Sequence, residues 1–322
     1  MNSAHSARLA LIARLSDGAF HSGQMLGEAL SMTRAAVSKH IKVLQSWGLD
    51  IYRVQGKGYC LSQPIELLDE AWLSDHTDIP SLFVIPVIDS TNQQLMDRVG
   101  QLKPGSVCLA EYQQQGRGRR GRAWQSPFGS NLYLSMYWRL DAGPAAAMGL
   151  SLVVGVAMTK ALHDLGAPGV KVKWPNDLYY RDKKLAGILV EMTGQTGDAA
   201  HIVIGMGLNL GMGTHLHDTI DQPWAKLADA CSPMPSRNTL AASLICRLKA
   251  SLIAYEQQGM ASILADWPQL DNFIDRPVKL LMGDRQVKGI ERGIDEHGAL
   301  LLEVEGNITP YLGGEISLRR DD

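Results

Sequence analysis

The segment Gly116-Arg117-Gly118-Arg119-Arg120-Gly121-Arg122, followed by Trp124 and Ser126, concentrates more chemistry than any other stretch. It places four arginines and three glycines in seven residues. Guanidinium forks match phosphate oxygens two at a time. Glycines let the backbone approach an anion closely and adopt positive φ. A run of this kind is poorly suited to the interior of a helix or strand. It predicts a mobile loop that closes over a polyanion, either a nucleotide triphosphate or a nucleic-acid backbone. A solvated basic turn is the plain alternative.

Other polar groups sit where apolar runs end. Asp89-Ser90-Thr91-Asn92 follows the apolar stretch Val84 to Ile88 and offers hydroxyls and an amide at a helix start. Such a group holds an anion or a polar ring, or simply caps the helix. Gln113 closes the run that leads into the arginine segment. Lys173-Trp174-Pro175-Asn176-Asp177 gathers a cation, an aromatic, an amide and a carboxylate, and a bare turn needs only the last three residues. Lys183 and Lys184 precede the apolar Leu185 to Val190, so either one lysine points inward at a strand start or both are solvated. Gly205-Met206-Gly207-Leu208-Asn209 lacks the third glycine and the following acid of a dinucleotide fingerprint. It reads as a strand whose glycines make room for a ligand. His215-x-His217 has no third ligand at sensible spacing, so no metal is expected. With no Walker motif and no Gly-x-Ser-x-Gly, a nucleotide has to be held by an unusual loop, and the arginine run is the candidate.

Three kinds of element must position these residues. Ala7 to Leu15, a helix capped by Ser22 through Leu30, and a third capped by Ser31 or Thr33 and running to Trp47 form a helix-turn-helix pattern. Ala36, Val37, Ile41 and Leu44 recur at helical spacing and face a core. Ile51 to Val54 and Tyr59 to Leu61 flank Gly56-Lys57-Gly58, a hairpin with a basic tip able to reach phosphate. A helical bundle for protein contacts is the alternative. Pro64 to Pro80 reads as a linker followed by a short helix. Beyond it, strands are expected at Ser106 to Glu111, Leu132 to Trp138, Val170 to Lys173, Ala186 to Met192 and His201 to Asn209. Helices are expected at Asn92 to Val99, Pro144 to Leu165 and Asn238 to Gln258. From Phe273 onward come five short β runs (Val278 to Met282, Gln286 to Asp295, Ala299 to Val304, Ile308 to Leu312, Glu315 to Leu318) separated by glycine-bearing turns. The fold class expected is α+β. It comprises a winged helix-turn-helix at 1–63, a mixed α/β domain at 64–271 and a small SH3-like β-barrel at 272–322.

The 322 residues are 45% hydrophobic and 20% charged, ordinary values for a globular protein of two or three domains. The net charge of -2 is unevenly spread. Residues 1–63 carry seven Lys/Arg against three acids, so a basic module stands on an acidic body, as in a nucleic-acid arm attached to an enzyme or sensor. Cys60, Cys108, Cys231 and Cys246 show no metal-ligand spacing and suit reduced thiols. No long apolar leader is present, and the longest apolar stretch, Leu150 to Met158, is too short to span a bilayer. A cytoplasmic location without membrane attachment is the expectation.

Taken in order, Gly116-Arg-Gly-Arg-Arg-Gly121, Lys173-Trp-Pro-Asn-Asp177, Lys184-Leu-Ala-Gly-Ile-Leu-Val-Glu191 and Gly205-Met-Gly-Leu-Asn209 resemble the motifs of biotin–protein ligases. The amino-terminal module makes the chain resemble the bifunctional bacterial form, which is also the biotin operon repressor. The resemblance covers essentially the whole chain, with no departure at the motif positions. Residues 211–230 carry no motif of the family.

What it implies is a two-step reaction. Biotin and ATP, with Mg²⁺, give biotinyl-5′-AMP, and a lysine of the biotin carboxyl carrier protein of acetyl-CoA carboxylase then takes the biotinyl group. By resemblance, Ser90, Thr91, Asn92, Gln113, Arg117, Gly118, Arg119, Lys184, Gly205 and Gly207 hold biotin. Gly116, Arg119, Arg120, Arg122, Trp124, Asn176, Lys184 and Asn209 hold the nucleotide. Lys184, Arg119 and Asp177 form the catalytic group. A loop that excludes water fits the lability of an acyl phosphate. The adenylate is also expected to act as corepressor. It would favour a homodimer whose winged helices meet operator DNA through Ser22, Thr33, Arg34, Ala35, Ser38, Lys39, Lys42 and Lys57. A lipoate ligase or octanoyltransferase resembles the central part but lacks the arginine loop and the wing. A non-enzymatic ligand-sensing regulator would need no ATP loop.

Overall fold

The computed structural model describes residues 3–194, 198–211, 220, 222–313 and 316–321. His215-x-His217 and the expected strand start at Glu315 lie outside the described residues.

The amino-terminal module is built from α1 (Ser3–Leu15), α2 (Gly23–Ala29), α3 (Arg34–Ser46) and the hairpin β1 (Ile51–Val54) with β2 (Gly58–Leu61). Of the two candidate caps for α3, Thr33 is the one used, accepting from the Ala36 amide at 3.1 Å. Ser31 lies in the turn at φ 53°. Ser22 caps α2 through the Met25 amide at 3.1 Å. Val37, Ile41 and Leu44 face the core at helical spacing, which leaves Arg34, Lys39 and Lys42 in solvent.

The short helix expected between Pro64 and Pro80 is α4 (Glu70–His76), whose Leu73 is fully buried. The central sheet has seven strands in the order β3-β4-β5-β9-β8-β7-β6. They are β3 (Leu82–Ile88), β4 (Val107–Gln113), β5 (Asn131–Leu140), β6 (Val170–Lys173), β7 (Asp177–Tyr180), β8 (Lys183–Thr193) and β9 (Ala200–Asn209). Only β3 and β4 run parallel. The expectation missed β7, because the polar Lys173-to-Asp177 turn conceals how soon the chain pairs again. It also began β8 three residues late, because two lysines open that strand.

Helices α6 (Leu150–Asp164) and α7 (Arg237–Gln258) pack together over the sheet, while α5 (Thr91–Met96) lies against β4, β5 and β9. The single helix expected from Pro144 is a short 3₁₀ turn and then α6, divided at Gly149 with φ 79°. A Cβ at Gly149 would lie 2.5 Å from the Met260 sulfur, so only glycine fits there. Residues 144–164 are long and apolar enough to cross a membrane, but α6 is a core helix with eleven buried residues.

Short helices α8 (Ala261–Leu264) and α9 (Trp267–Leu270) lead to the carboxy-terminal SH3-like unit, one antiparallel sheet of order β13-β12-β11-β10-β14. Its strands are β10 (Pro277–Met282), β11 (Arg285–Ile294), β12 (Leu300–Val304), β13 (Asn307–Tyr311) and β14 (Ser317–Arg320). Val278, Leu280, Leu300, Leu302 and Leu318 belong to the same apolar cluster as α6 and α7. The small sheet is therefore welded to the central one. The amino-terminal module has its own cluster, which borrows only Phe128 as a fully buried partner from the centre.

Candidate active site

Most of the polar side chains singled out in the sequence converge on one cavity of about 480 Å³, though Asp89, Ser126 and Lys183 do not line it. Its floor is a network around the start of α5. Ser90 caps that helix, and the Thr91 amide and hydroxyl both donate to Gln113 Oε1, at 2.9 and 3.1 Å. Ser135 on β5 donates to Thr91 Oγ1 at 2.7 Å or to Asn92 Oδ1 at 2.5 Å. Asn92 Nδ2 reaches Glu191 Oε2 at 2.7 Å, and Gln113 Nε2 reaches Ser126 Oγ at 3.2 Å. Capping and cavity lining are thus performed by the same residues. Ser135 was not legible as a site residue, because one serine in an apolar strand gives no local signal.

The glycines of β8 and β9 clear space, but the space is taken by protein. A Cβ at Gly205 would stand 2.2 Å from Asn92 Oδ1, and one at Gly207 2.5 Å from the Trp124 ring. Gly187, paired with Gly207, faces the same indole at 3.0 Å. The glycine motif therefore lets Asn92 and Trp124 lie flat on the sheet, and those side chains meet the cavity.

The arginine segment is pinched at its base. The Trp124 amide donates to the Gly116 carbonyl and the Gly118 amide to the Arg122 carbonyl, each at 2.8 Å. Gly116 is packed against Ser126 and Trp124 and does not line the cavity. Arg117 grips Glu191 with Nη2 at 3.0 and 3.1 Å and also Gln93 Oε1 at 3.0 Å, which fixes the loop to β8. Its guanidinium acts here as an anchor. Arg119 Nη1 donates to Asn176 Oδ1 at 2.6 Å. Burial, together with the nearby Arg120 and Arg122, lowers the Arg119 pKa against the pull of Asp177. Arg120, at φ 59°, and Arg122 are exposed. A concentrated positive charge at the mouth of a cavity, partly desolvated, is arranged to receive a polyanion.

Beneath the loop lies a buried charge cluster. Asp177 opens β7 and faces two lysines, Lys184 Nζ at 2.8 Å from Oδ1 and Lys173 Nζ at 3.4 Å from Oδ2. Burial alone would raise the Asp177 carboxyl, but Lys184 and Lys173 together hold it below its usual value. Lys173, almost wholly enclosed, is lowered to about 8 by burial, an effect that Asp177 offsets only in part. Of the two lysines that open β8, Lys184 points inward over the Trp124 ring at 5.5 Å, while Lys183 is exposed. Asn176 is clamped by Ile188, its Nδ2 donating to that carbonyl at 2.8 Å. Asn209 donates to the Ala225 carbonyl at 3.2 Å and lines the far wall.

Two contributors escaped the sequence reading. The segment around Trp224 pairs with Lys184, through Lys184 N to Pro223 O at 3.1 Å and Ala225 N to Lys184 O at 2.8 Å. Ile316, Ser317 and Arg319 of the small sheet also line the cavity. Trp174 serves that junction, fully buried with its indole NH donating to the Gly298 carbonyl at 3.1 Å. No local pattern announces a wall supplied from more than a hundred residues away. On the amino-terminal module, Arg34, Ala35, Lys39, Lys42 and Lys57 are exposed and Ser38 is half-buried. The Ser22 and Thr33 hydroxyls are engaged as helix caps.

Comparison with known proteins agrees with this arrangement. Residues 84–209 match the biotin/lipoate A/B protein ligase family, 273–319 the biotin protein ligase C-terminal domain and 8–60 an HTH domain. The chain is 59% identical over 97% of its length, and of theirs, to the bifunctional ligase/repressor BirA of Salmonella typhimurium and to that of Escherichia coli. It belongs to the biotin–protein ligase family. Within that family it is also 34% identical to the biotin–[acetyl-CoA-carboxylase] ligase of Mycobacterium tuberculosis, over 73% of this chain and 88% of that one. Among solved structures of biotin–protein ligases, the Aquifex aeolicus enzyme in complex with biotin and ATP superimposes with a TM-score of 0.66. The match has 26% identity and covers 76% of this chain and all of the other.

Proposed function

We infer that this chain is a bifunctional biotin–protein ligase and biotin operon repressor. The observation that carries the ligase reading is the meeting of an arginine loop, an aspartate held between two lysines and a polar amide floor in one cavity. A carboxylate bound over Asn92 and Gln113 can be presented to the α-phosphorus of ATP. A carboxylate oxygen attacks, pyrophosphate leaves, and biotinyl-5′-AMP remains. Lys184 and Arg119 stabilise negative charge as it develops on the phosphoryl oxygens. Trp124 and Asn176 flank the adenylate. The ε-amine of a lysine on a biotin carboxyl carrier domain then attacks the acyl carbon. AMP departs, the amine loses a proton and an amide forms. Asp177 and Glu191 are both engaged by cations, and no cluster of three metal-ligating side chains occurs among the described residues. Mg²⁺ therefore fits as a companion of ATP, where it would neutralise phosphate charge.

For the second activity, the division of labour is 1–63 for operator DNA, 64–271 for chemistry and 272–322 as the wall that completes the cavity. Biotinyl-5′-AMP acts as corepressor by favouring a homodimer that presents two recognition helices. The 59% identity to bifunctional ligase/repressors, extending through the HTH match, supports this half.

Incubating a carrier domain with ATP, Mg²⁺ and biotin, with lipoate as control, tests the first half. A gel shift with biotinyl-5′-AMP tests the second.

A further inference from the structure

Lys184 does not begin free. Its ammonium is paired with Asp177 at 2.8 Å. To meet charge developing on a substrate it has to loosen that pair, which would leave a carboxylate whose side chain is only 8% exposed without a partner. An unpaired charge in such surroundings is strongly disfavoured. A second lysine is in place to prevent this. Lys173, four residues before Asp177 and 3% exposed, sits 3.4 Å from the other carboxylate oxygen, longer than a tight pair. It also rests over the Tyr179 ring at 5.4 Å.

We propose that Lys173 is a positioning residue that takes over Asp177 when Lys184 turns to the substrate, so that Asp177 is passed between two lysines during adenylation. The inference rests on the ligase reading above. The turn between Lys173 and Asp177 is what brings the two together, since Lys173 and Asp177 are partners across β6 and β7. Lys184 arrives from β8 on the opposite side of β7. The carboxylate thus lies between two strands, each supplying one lysine. This gives the first residue of the Lys-Trp-Pro-Asn-Asp segment a role although it is buried behind Asp177.

The groups facing Lys173 are Asp177, Tyr179, Lys184, Arg319 and Glu291. Glu291 is fully buried, and burial followed by its neighbour Asp271 pushes its carboxyl well above the usual carboxylate range, which weakens it as a competitor for Lys173. Lys173 itself loses its proton as the pH passes about 8. The neutral amine cannot take over the carboxylate, so kcat/KM for adenylation should fall on that side.

Single-turnover formation of biotinyl-5′-AMP in the full chain tests this. The parent chain forming adenylate in the same assay secures the ligase reading independently. Lys173→Met should slow the step about 50-fold, with the KM for biotin nearly unchanged, because Lys184 stays bound to Asp177. Removing the carboxylate as well, in Lys173→Met/Asp177→Asn, should free Lys184 and restore the rate to within about tenfold of the parent. A merely structural lysine predicts no such recovery. A parental rate in Lys173→Met, or a double variant no faster than the single one, overturns the proposal. If Lys173→Met melts below the assay temperature, Lys173→Arg carries the test. A cation that keeps its proton should move the alkaline fall in kcat/KM to higher pH, and an unmoved fall in that folded variant overturns the proposal equally.

Discussion

Trp47, the residue that caps the carboxy end of α3, stacks on Phe128 with ring centroids 6.0 Å apart and planes 13° from parallel. The Phe128 amide donates to the Trp47 carbonyl at 2.9 Å. Phe128 stands two residues beyond Ser126, which holds the Gln113 amide. Trp47 also stacks on Tyr112 at 5.3 Å, next to Gln113 in sequence. The amino-terminal module therefore rests on both chain segments that frame the cavity floor, and substitution of Trp47 tests whether this contact couples the two.

Trp47→Ala should cost about 3 kcal/mol of stability in the amino-terminal module, as large-to-small changes of a buried aromatic do. It should also speed release of biotinyl-5′-AMP by about tenfold, because the stack that steadies Tyr112 and Phe128 is gone. Arg34→Ala/Lys39→Ala provides the contrast. Both residues are exposed, so ligation should be parental while operator binding weakens and its salt dependence becomes shallower. Adenylate retention by Trp47→Ala equal to the parent would disconnect the two sites.

Lys184→Ala should leave the fold intact, because Lys173 still balances Asp177. It should nevertheless cost about 3 kcal/mol at the transition state, a fall of roughly a hundredfold in pyrophosphate release. Wild-type pyrophosphate release would remove Lys184 from the chemistry.

Arg119→Gly breaks the 2.6 Å bond to Asn176 and removes a half-buried cation of the loop. Adenylate should then escape before transfer and acylate lysines on unrelated proteins. A half-life of the bound adenylate equal to the parent's would show that the loop is not the clamp.

Gly205→Ala and Gly207→Ala separate the two halves of the cavity. The first pushes on Asn92 and the second on Trp124. The KM for biotin should therefore rise more in Gly205→Ala, and the KM for ATP more in Gly207→Ala. Equal effects in both variants on both substrates would mean that the glycines serve only sheet packing.

Much of this was legible locally. The four arginines of the loop, Lys184 at the two-lysine strand start and the amide pair Asn92 and Gln113 each have a type and spacing that only a few structures satisfy, and all of them line the cavity. What was hidden depended on tertiary pairing. That Arg117 also ties the loop to β8 could not be foreseen, because its partner Glu191 lies far along the chain. Gly205 and Gly207 announced empty space, but which side chains fill it cannot be read from the strand itself. β7 was lost because a short strand starting with Asp177 is polar at the residue the site needs. Ser135 and Arg319 carry no local signature, since each matters only through the element it lies against.

The central claim is ATP-dependent transfer of biotin to a carrier lysine, and mass spectrometry of a biotin carboxyl carrier domain measures it directly. With the full chain, ATP, Mg²⁺ and biotin, the carrier should gain one biotinyl group on one lysine. It should gain none when ATP is omitted or lipoate replaces biotin. An unmodified carrier in the complete mixture, or modification by lipoate in place of biotin, would contradict the account.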